Sequence, residues 1–229
     1  MSTASAVLVS SRAAWVSRPQ PHRLVYRGLR AVVQQGVVFP GIAALCRPEV
    51  TGRDILDELT GPYVVVANHV SHLDCPVLLN CLPVAALRRS SVAAAADYFY
   101  RSRVRGALVT LAFSAIPLQR RGNPASALQT CSDVLRHGGV LVIFPEGTRS
   151  RDGSLGAFRS GAARLAIDNR VPVVPIATRG LHDVLAPGAV LPHPRRVRVR
   201  IGAPLLCQRG ESVHAYTARI QAAVAELAH

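Results

Sequence analysis

Two stretches of the chain carry side chains whose types and spacing could do chemistry. The first pairs His69 with Asp74, between a run of three valines at 64–66 and a helix-start signal at Asp74 and Pro76. An imidazole changes charge near neutral pH. When a carboxylate holds one of its ring nitrogens, the other can take a proton from a hydroxyl. We therefore predict that His69 is a general base and that Asp74 orients it.

The second stretch is a loop in which Glu146, Gly147, Thr148 and Arg149 follow one another. Gly147 lets the backbone approach a ligand closely, so that N–H groups can face a phosphate or an oxyanion. Arg149 can fork two hydrogen bonds to a phosphate, and Arg120 can do the same. Among these arginines, we expect Glu146 to position them or an acceptor hydroxyl rather than to act as an acid.

Simpler interpretations of the same residues remain open. His69 could cap a turn while Asp74 caps a helix. His72 could join His69, Asp74 and Glu146 in a zinc site, although on a strand-to-helix turn we expect it to face solvent and we predict no metal. A nucleophilic role for Ser71 or Cys75 lacks the Gly-x-Ser-x-Gly sequence that such a serine needs.

The elements that must position these residues alternate between strand and helix. A period-two or continuously apolar pattern predicts strands, and longer periodic segments with proline or glycine at their ends predict helices. Strands are predicted at 63–67, 91–96, 114–118, 140–144 and 173–177, with helices at 74–82, 98–112, 124–136 and 160–169 between them and a closing helix near 213–227. This alternation predicts an α/β fold with a mostly parallel, mixed sheet flanked by helices.

Such a sheet would bring the two stretches together. His69 follows the first predicted strand, Arg120 follows 114–118, and Glu146 follows 140–144. Ligands of open α/β sheets bind beyond the carboxyl ends of the strands. We therefore predict that the base, an arginine pair and the 146–149 loop meet at one edge.

The chain is predicted to divide into three segments. Residues 1–21 are predicted to be disordered, 22–48 to form an amphipathic helical segment with a bend at Pro40, and 49–229 to form the main domain, beginning with a linker at 49–59. The segment 22–48 could dock on an anionic bilayer or pack on the domain. Arginine alternates with valine at 195–201, which predicts a half-exposed edge strand.

Composition narrows the functional classes. The net charge is +14, and every one of the 27 basic residues is an arginine, which favours anionic partners such as lipid head groups or phosphorylated substrates. Only 5% of residues are aromatic and they do not alternate with the arginines, so we expect no nucleic-acid partner. Five scattered cysteines indicate a reducing compartment. No run of eighteen apolar residues is present, and we predict no transmembrane span.

Together the motifs resemble those of the glycerolipid acyltransferase family, which includes lysophosphatidic acid acyltransferases. The family has a histidine and an aspartate separated by four residues, usually preceded by Asn and followed by Pro; Asn68, His69, Asp74 and Pro76 match it. Further blocks follow in the family's order at 116–120, 144–150 and 171–175. The second block departs from the pattern, since Ser114 replaces a common glycine and Pro117 a frequent phenylalanine.

The resemblance implies an enzyme that moves a fatty acyl group from acyl-CoA or acyl-carrier protein to the hydroxyl of 1-acyl-glycerol 3-phosphate, giving phosphatidic acid without an acyl-enzyme. It implies that Arg120 or Arg121, with Glu146, Gly147, Thr148 and Arg149, binds the glycerol phosphate. No bound cofactor is expected. The expected location is the cytoplasmic face of an anionic membrane, peripheral or monotopic. Acylation of glycerol 3-phosphate or another lipid alcohol, or a non-catalytic basic binding protein, are the alternatives.

Overall fold

Seven strands form one mixed sheet in the computed structural model, which describes residues 22–95, 110–118, 124–189 and 191–229. The strands are β1 (Pro48–Thr51), β2 (Tyr63–Ala67), β3 (Ser90–Ala95), β4 (Ala115–Leu118), β5 (Val140–Ile143), β6 (Val173–Arg179) and β7 (Val197–Ile201). The helices are α1 (His22–Val33), α2 (Phe39–Cys46), α3 (Arg53–Asp57), α4 (Asp74–Cys81), α5 (Val84–Arg88), α6 (Pro124–Arg136), α7 (Gly161–Asn169), α8 (Leu181–Val184) and α9 (Val213–Ala228), with a π-helical segment Gln34–Val38 between α1 and α2.

The strand order is β1-β7-β6-β2-β5-β3-β4. Strands β6, β2, β5, β3 and β4 run parallel to one another, and β7 turns antiparallel to β6. The carboxyl ends of β2 and β5 are therefore side by side, with Val66 opposite Ile143. This pairing brings the histidine turn after β2 and the loop after β5 to the same edge of the sheet.

Helices cover both faces of the sheet, so β2 is buried over its whole length. Val65 and Ala67 face a core that also contains Phe39 of α2 and residues of α4, whereas Val64 and Val66 face one built with α6, α7 and α9. A strand buried on both faces needs a continuous apolar run rather than an alternating one. This explains why residues 63–67 are uniformly apolar.

Most of the predicted elements are confirmed within the described residues, including the mixed α/β sheet. Two details were wrong. Residues 48–51 form strand β1 rather than a linker, and β7 is not an edge strand, because β1 pairs with it in parallel, with Val50 opposite Val199. Residues 98–109 of the predicted helix at 98–112 lie outside the described residues; the described residues 110–113 are helical.

The N-terminal helical segment is continuous from α1 to α2. Pro40 lacks an N–H group, and the chain accommodates it with a preceding π-helical segment rather than a break; the Phe39 N–H donates to the Gln34 carbonyl, five residues earlier. The stretch Gly28–Cys46 is 19 residues long with a mean hydropathy of 1.4, enough by length and composition for a membrane-crossing helix. Its α2 end, however, contributes Phe39, Ile42 and Cys46 to the domain core.

The part of this segment nearest the N-terminus contacts the domain through polar groups. The buried Arg30 guanidinium donates to the Leu87 carbonyl and to the Ser90 hydroxyl and carbonyl, at 3.0–3.3 Å. Gln34 donates to the Ala112 carbonyl at 2.7 Å. In contrast, several apolar side chains of the segment are exposed: Leu29, Val32 and Val37, by 50%, 67% and 70%.

Candidate active site

The turn that follows β2 wraps around the carboxylate of Asp74, which is fully buried at the first residue of α4. Its Oδ2 atom accepts hydrogen bonds from the His69 ring at Nδ1 (2.8 Å) and from the backbone N–H groups of Val70 (2.7 Å) and Ser71 (2.8 Å). The predicted contact between His69 and Asp74 is confirmed. Because Nδ1 is the donor to the carboxylate, Nε2 is the ring nitrogen left with a lone pair.

A second strand holds this carboxylate from the other side. The Thr178 hydroxyl at the end of β6 lies 3.3 Å from Asp74 Oδ1. The Asn68 side chain bridges to the Thr178 backbone, accepting from its N–H (2.8 Å) and donating to its carbonyl (2.9 Å). These contacts span more than a hundred residues of sequence, and sequence spacing gave no sign of Thr178.

The ring of His69 is held between a carboxylate and an aromatic face. It stacks on Phe144 with the ring centroids 4.2 Å apart and the planes 21° from parallel. The side chain is 22% exposed, so a ligand can reach it. With one nitrogen bonded and one face covered, the imidazole has a fixed orientation, which general base catalysis requires.

The loop after β5 is bonded to the backbone of the same histidine. Glu146 is 7% exposed; its Oε1 accepts from the His69 N–H at 2.8 Å, and its Oε2 from the Gly156 N–H at 3.0 Å. The Ser150 N–H donates to the His69 carbonyl at 2.8 Å. Burial raises the pKa of Glu146, while the two N–H groups act in the opposite direction. The predicted meeting of the histidine and the 146–149 loop at one edge is thus confirmed.

Gly147 adopts a positive φ of 72°, which favours glycine, and its N–H closes a turn onto the Phe144 carbonyl at 3.1 Å. A Cβ atom built here would lie 3.0 Å from the Nε atom of Arg159. The guanidinium of Arg159 therefore covers the loop at its glycine. Thr148 is exposed beside it. Sequence reasoning missed Arg159, which lies in no motif.

Arg149 and His72 contact each other across the site. The Arg149 Nη1 group donates to Nε2 of His72. Burial lowers the pKa of His72 to about 4, and the neighbouring Arg149 and His69 act in the same direction. The prediction that His72 faces solvent is wrong, because the residue is half-buried and bonded.

The other candidates are placed as follows. Arg120 and Arg121 lie outside the described residues. Ser71 is fully buried and its hydroxyl donates to the Leu185 carbonyl at 2.7 Å, while burial raises the pKa of the Cys75 thiol well above its ordinary range. Neither has the surroundings of an activated nucleophile.

Among the residues that the structure describes, no group of three or more His, Cys, Asp or Glu side chains could hold a metal ion.

Comparison with known proteins gives a consistent set of relatives. A chloroplastic 1-acyl-sn-glycerol-3-phosphate acyltransferase of Brassica napus is 32% identical over 163 residues, which cover 69% of this chain and 45% of the relative. The alpha 1-acyl-sn-glycerol-3-phosphate acyltransferase of Mus musculus is 33% identical over 125 residues, 54% of this chain and 42% of the relative. The chain spans about half the length of the curated relatives it matches.

A solved structure has the same fold. The crystal structure of a 1-acyl-sn-glycerophosphate (LPA) acyltransferase from Thermotoga maritima superposes with a TM-score of 0.69 at 20% identity, covering 97% of this chain and 87% of that one. A family model described as Acyltransferase matches residues 47–179, a range that contains the histidine turn, the 146–149 loop and Thr178. Since this range is more than half of the 229 residues, the chain belongs to the Acyltransferase family.

Proposed function

We propose that the protein moves a fatty acyl group from a thioester donor, acyl-CoA or acyl-carrier protein, to the free hydroxyl of 1-acyl-glycerol 3-phosphate, giving phosphatidic acid. The observation that carries the proposal is the 2.8 Å contact between His69 Nδ1 and the buried Asp74 carboxylate. The names of the curated relatives support the acceptor.

In the proposed reaction His69 acts as the base. Nε2 takes the proton of the acceptor hydroxyl as its oxygen attacks the thioester carbonyl carbon. The tetrahedral intermediate then collapses, the carbon–sulfur bond breaks, and the leaving thiolate receives the proton from Nε2. Asp74 keeps the Nδ1 proton in place and stabilises the imidazolium that forms between the two transfers.

The acceptor's phosphate would be held by cations and backbone N–H groups. Arg149 offers a forked donor beside the histidine turn, and the positive-φ turn at Gly147 and Thr148 brings backbone close to a ligand. Arg120 or Arg121 would complete this grip. Glu146 accepts from the His69 and Gly156 backbone, so its part in acceptor binding would be to brace the loop that carries Arg149.

We further propose that the N-terminal helical segment docks on an anionic membrane from its cytoplasmic face. A surface helix of a soluble domain usually turns its polar side chains to water and its apolar side chains to the core. Here Arg30 and Gln34 are buried against the domain, while Leu29, Val32 and Val37 are exposed. An exposed apolar face suits insertion into the interface of a bilayer. A monotopic or peripheral attachment fits the burial of Phe39 and Ile42 in the domain core better than a spanning helix.

The activity is tested with the purified protein, a radiolabelled acyl-CoA or a radiolabelled acyl group on acyl-carrier protein, and lysophosphatidic acid in mixed micelles. We expect labelled phosphatidic acid from the wild type and a loss of about 10²–10⁴ in kcat or more for His69→Ala. His214→Ala, which changes an exposed histidine on α9, serves as the matched control. Equal activity of His69→Ala and wild type would show that His69 is not the general base.

A panel of acceptors separates the alternatives. Glycerol 3-phosphate, monoacylglycerol and lysophosphatidylcholine are offered with the same donor, and the proposed acceptor should give the highest kcat/KM. Preference for glycerol 3-phosphate or a phosphate-free alcohol would keep the chemistry and change the substrate. Salt-dependent DNA binding with no transfer to any lipid would favour a basic binding protein.

A further inference from the structure

The hydrogen bond between Arg149 and His72 joins the two halves of the site. His72 lies three residues after His69, on the turn whose N–H groups bind Asp74, whereas Arg149 belongs to the loop that follows β5. The bond uses Nε2 of His72 as the acceptor, which requires a neutral ring, since an imidazolium has only donors. Burial and the adjacent cation keep the ring neutral at physiological pH by lowering its pKa to about 4.

A neutral hydrogen-bond acceptor can orient an arginine without neutralising its charge. A carboxylate in the same position would hold the guanidinium and also cancel its charge. An imidazole nitrogen fixes the direction of one N–H group, and being uncharged it does not itself neutralise the guanidinium. The half-buried Arg149 has a long side chain with several rotatable bonds. Without a hydrogen bond to hold it, that side chain would lose conformational entropy when a ligand binds.

We propose that His72 is a positioning residue that orients Arg149 for the phosphate of the acceptor. The inference rests on the proposed function and deepens it, because it names the group that sets phosphate recognition. The base and the positioning residue share one turn, so the distance between the reacting hydroxyl and the phosphate grip is set by the fold. His72 acts on phosphate-bearing acceptors through Arg149 and leaves the proton transfer at His69 to the Asp74 pair.

The experiment measures binding without turnover. In a His69→Ala background, we titrate a short-chain lysophosphatidic acid and the monoacylglycerol of the same chain, by calorimetry, against His72→Gln, His72→Leu, Arg149→Leu and the double variant His72→Leu/Arg149→Leu. Glutamine retains a neutral acceptor and leucine does not. His214→Leu is the matched control, and thermal unfolding shows that each variant is folded.

We expect His72→Leu to weaken lysophosphatidic acid binding by about 10-fold or more, the range of a lost hydrogen bond to a charged group, and His72→Gln to stay within about threefold. Monoacylglycerol binding should be unchanged in both. The double variant should bind no more weakly than Arg149→Leu, because the histidine acts through the arginine. With His69 restored, His72→Leu should raise KM for lysophosphatidic acid and change kcat less than about threefold.

Three results would overturn the positioning role: an equal loss for both ligands, a glutamine variant as weak as the leucine variant, or losses that add in the double variant. Failure of the proposed acceptor looks different. In that case the His69→Ala parent itself shows no preference for the phosphate-bearing ligand, and both proposals fall. A phosphate preference that His72→Leu leaves intact overturns the His72 role alone.

Discussion

The two oxygens of Asp74 have different partners, and the difference shows why a carboxylate stands at this position. Oδ2 accepts from one imidazole and two backbone N–H groups, while Oδ1 lies 3.3 Å from the Thr178 hydroxyl. Three donors converging on one buried oxygen stabilise a full negative charge. An amide side chain keeps one acceptor oxygen for these donors but carries no charge, so the charge-assisted part of the three hydrogen bonds is lost.

Asp74→Asn should therefore damage both stability and activity. We expect the free energy of unfolding to fall by about 2 kcal/mol or more, because charge-assisted hydrogen bonds are lost in a buried site. We expect kcat to fall by at least about 100-fold, since the imidazole loses its orienting partner. Urea unfolding and the acyl-transfer assay measure the two effects. Asp168→Asn on the exposed surface of α7 is the control, and an Asp74→Asn enzyme with wild-type kcat would contradict the orienting role.

The sequence predicted the residues of the site that are close along the chain. His69 and Asp74 lie in one turn, so their spacing alone implied contact. Thr178 and Arg159 reach the site from β6 and from the segment before α7, and nothing in local spacing reports such long-range contacts. His72 was mistaken for a solvent-facing residue because its partner, Arg149, is 77 residues away.

At the scale of elements, the first part of the N-terminal helical segment buries polar side chains and exposes apolar ones, whereas its α2 end packs apolar side chains on the core in the usual way. Arg30 donates to the carbonyl of Leu87, near the end of α5, and to the hydroxyl and carbonyl of Ser90 at the start of β3. The Ser90 hydroxyl itself donates to the same Leu87 carbonyl at 2.9 Å. The first part of the segment is therefore attached to the domain through specific hydrogen bonds. The exposed face is left with apolar side chains that water does not stabilise.

Changing those side chains should weaken membrane attachment without unfolding the domain. For Leu29→Ser, Val32→Ser and Val37→Ser combined, we expect a loss of about 3 kcal/mol of apolar burial, roughly 100-fold in the vesicle partition coefficient measured by co-sedimentation. The control replaces three exposed apolar residues elsewhere with serine: Val84, Leu191 and Leu206. If the control variant loses as much binding as the helix variant, the segment is not the docking element.

The order of strands shows where pattern reasoning was insufficient. In β7, arginines alternate with valines, and an exposed face suggested an edge; in fact Val197 and Val199 are buried and the charged side chains occupy one face only. β1 was missed because four residues that include proline and glutamate have a weak strand signal. Pairing with β7 supplies the hydrogen bonds that make it a strand.

For the whole molecule, the charge of +14 is the property most open to measurement. A surface rich in arginine is attracted to anionic lipid by about 1 kcal/mol per residue near the bilayer, and salt screens this attraction. In the proposed membrane docking, this general electrostatic attraction would add to the local apolar contact of the N-terminal segment.

We expect binding to vesicles that contain anionic lipid to weaken steeply as NaCl rises from about 0.1 M to about 1 M, because the Debye length falls from about 10 Å to about 3 Å. Binding to zwitterionic vesicles should be weaker and should change little with salt. Co-sedimentation or surface plasmon resonance measures both. Salt-independent binding to anionic vesicles would show that charge plays no part in docking.

The bonds from Glu146 and Ser150 to the two backbone groups of His69 have a consequence for how the enzyme meets its substrates. They are bonds within the protein itself, so they aim the imidazole before any ligand arrives, and the entropy of fixing it is already lost when the reaction begins. The site is therefore preorganised, and substrate binding does not have to orient the histidine. Under the proposed function, substrate preference can then change through residues elsewhere in the protein without disturbing the proposed proton transfer at His69.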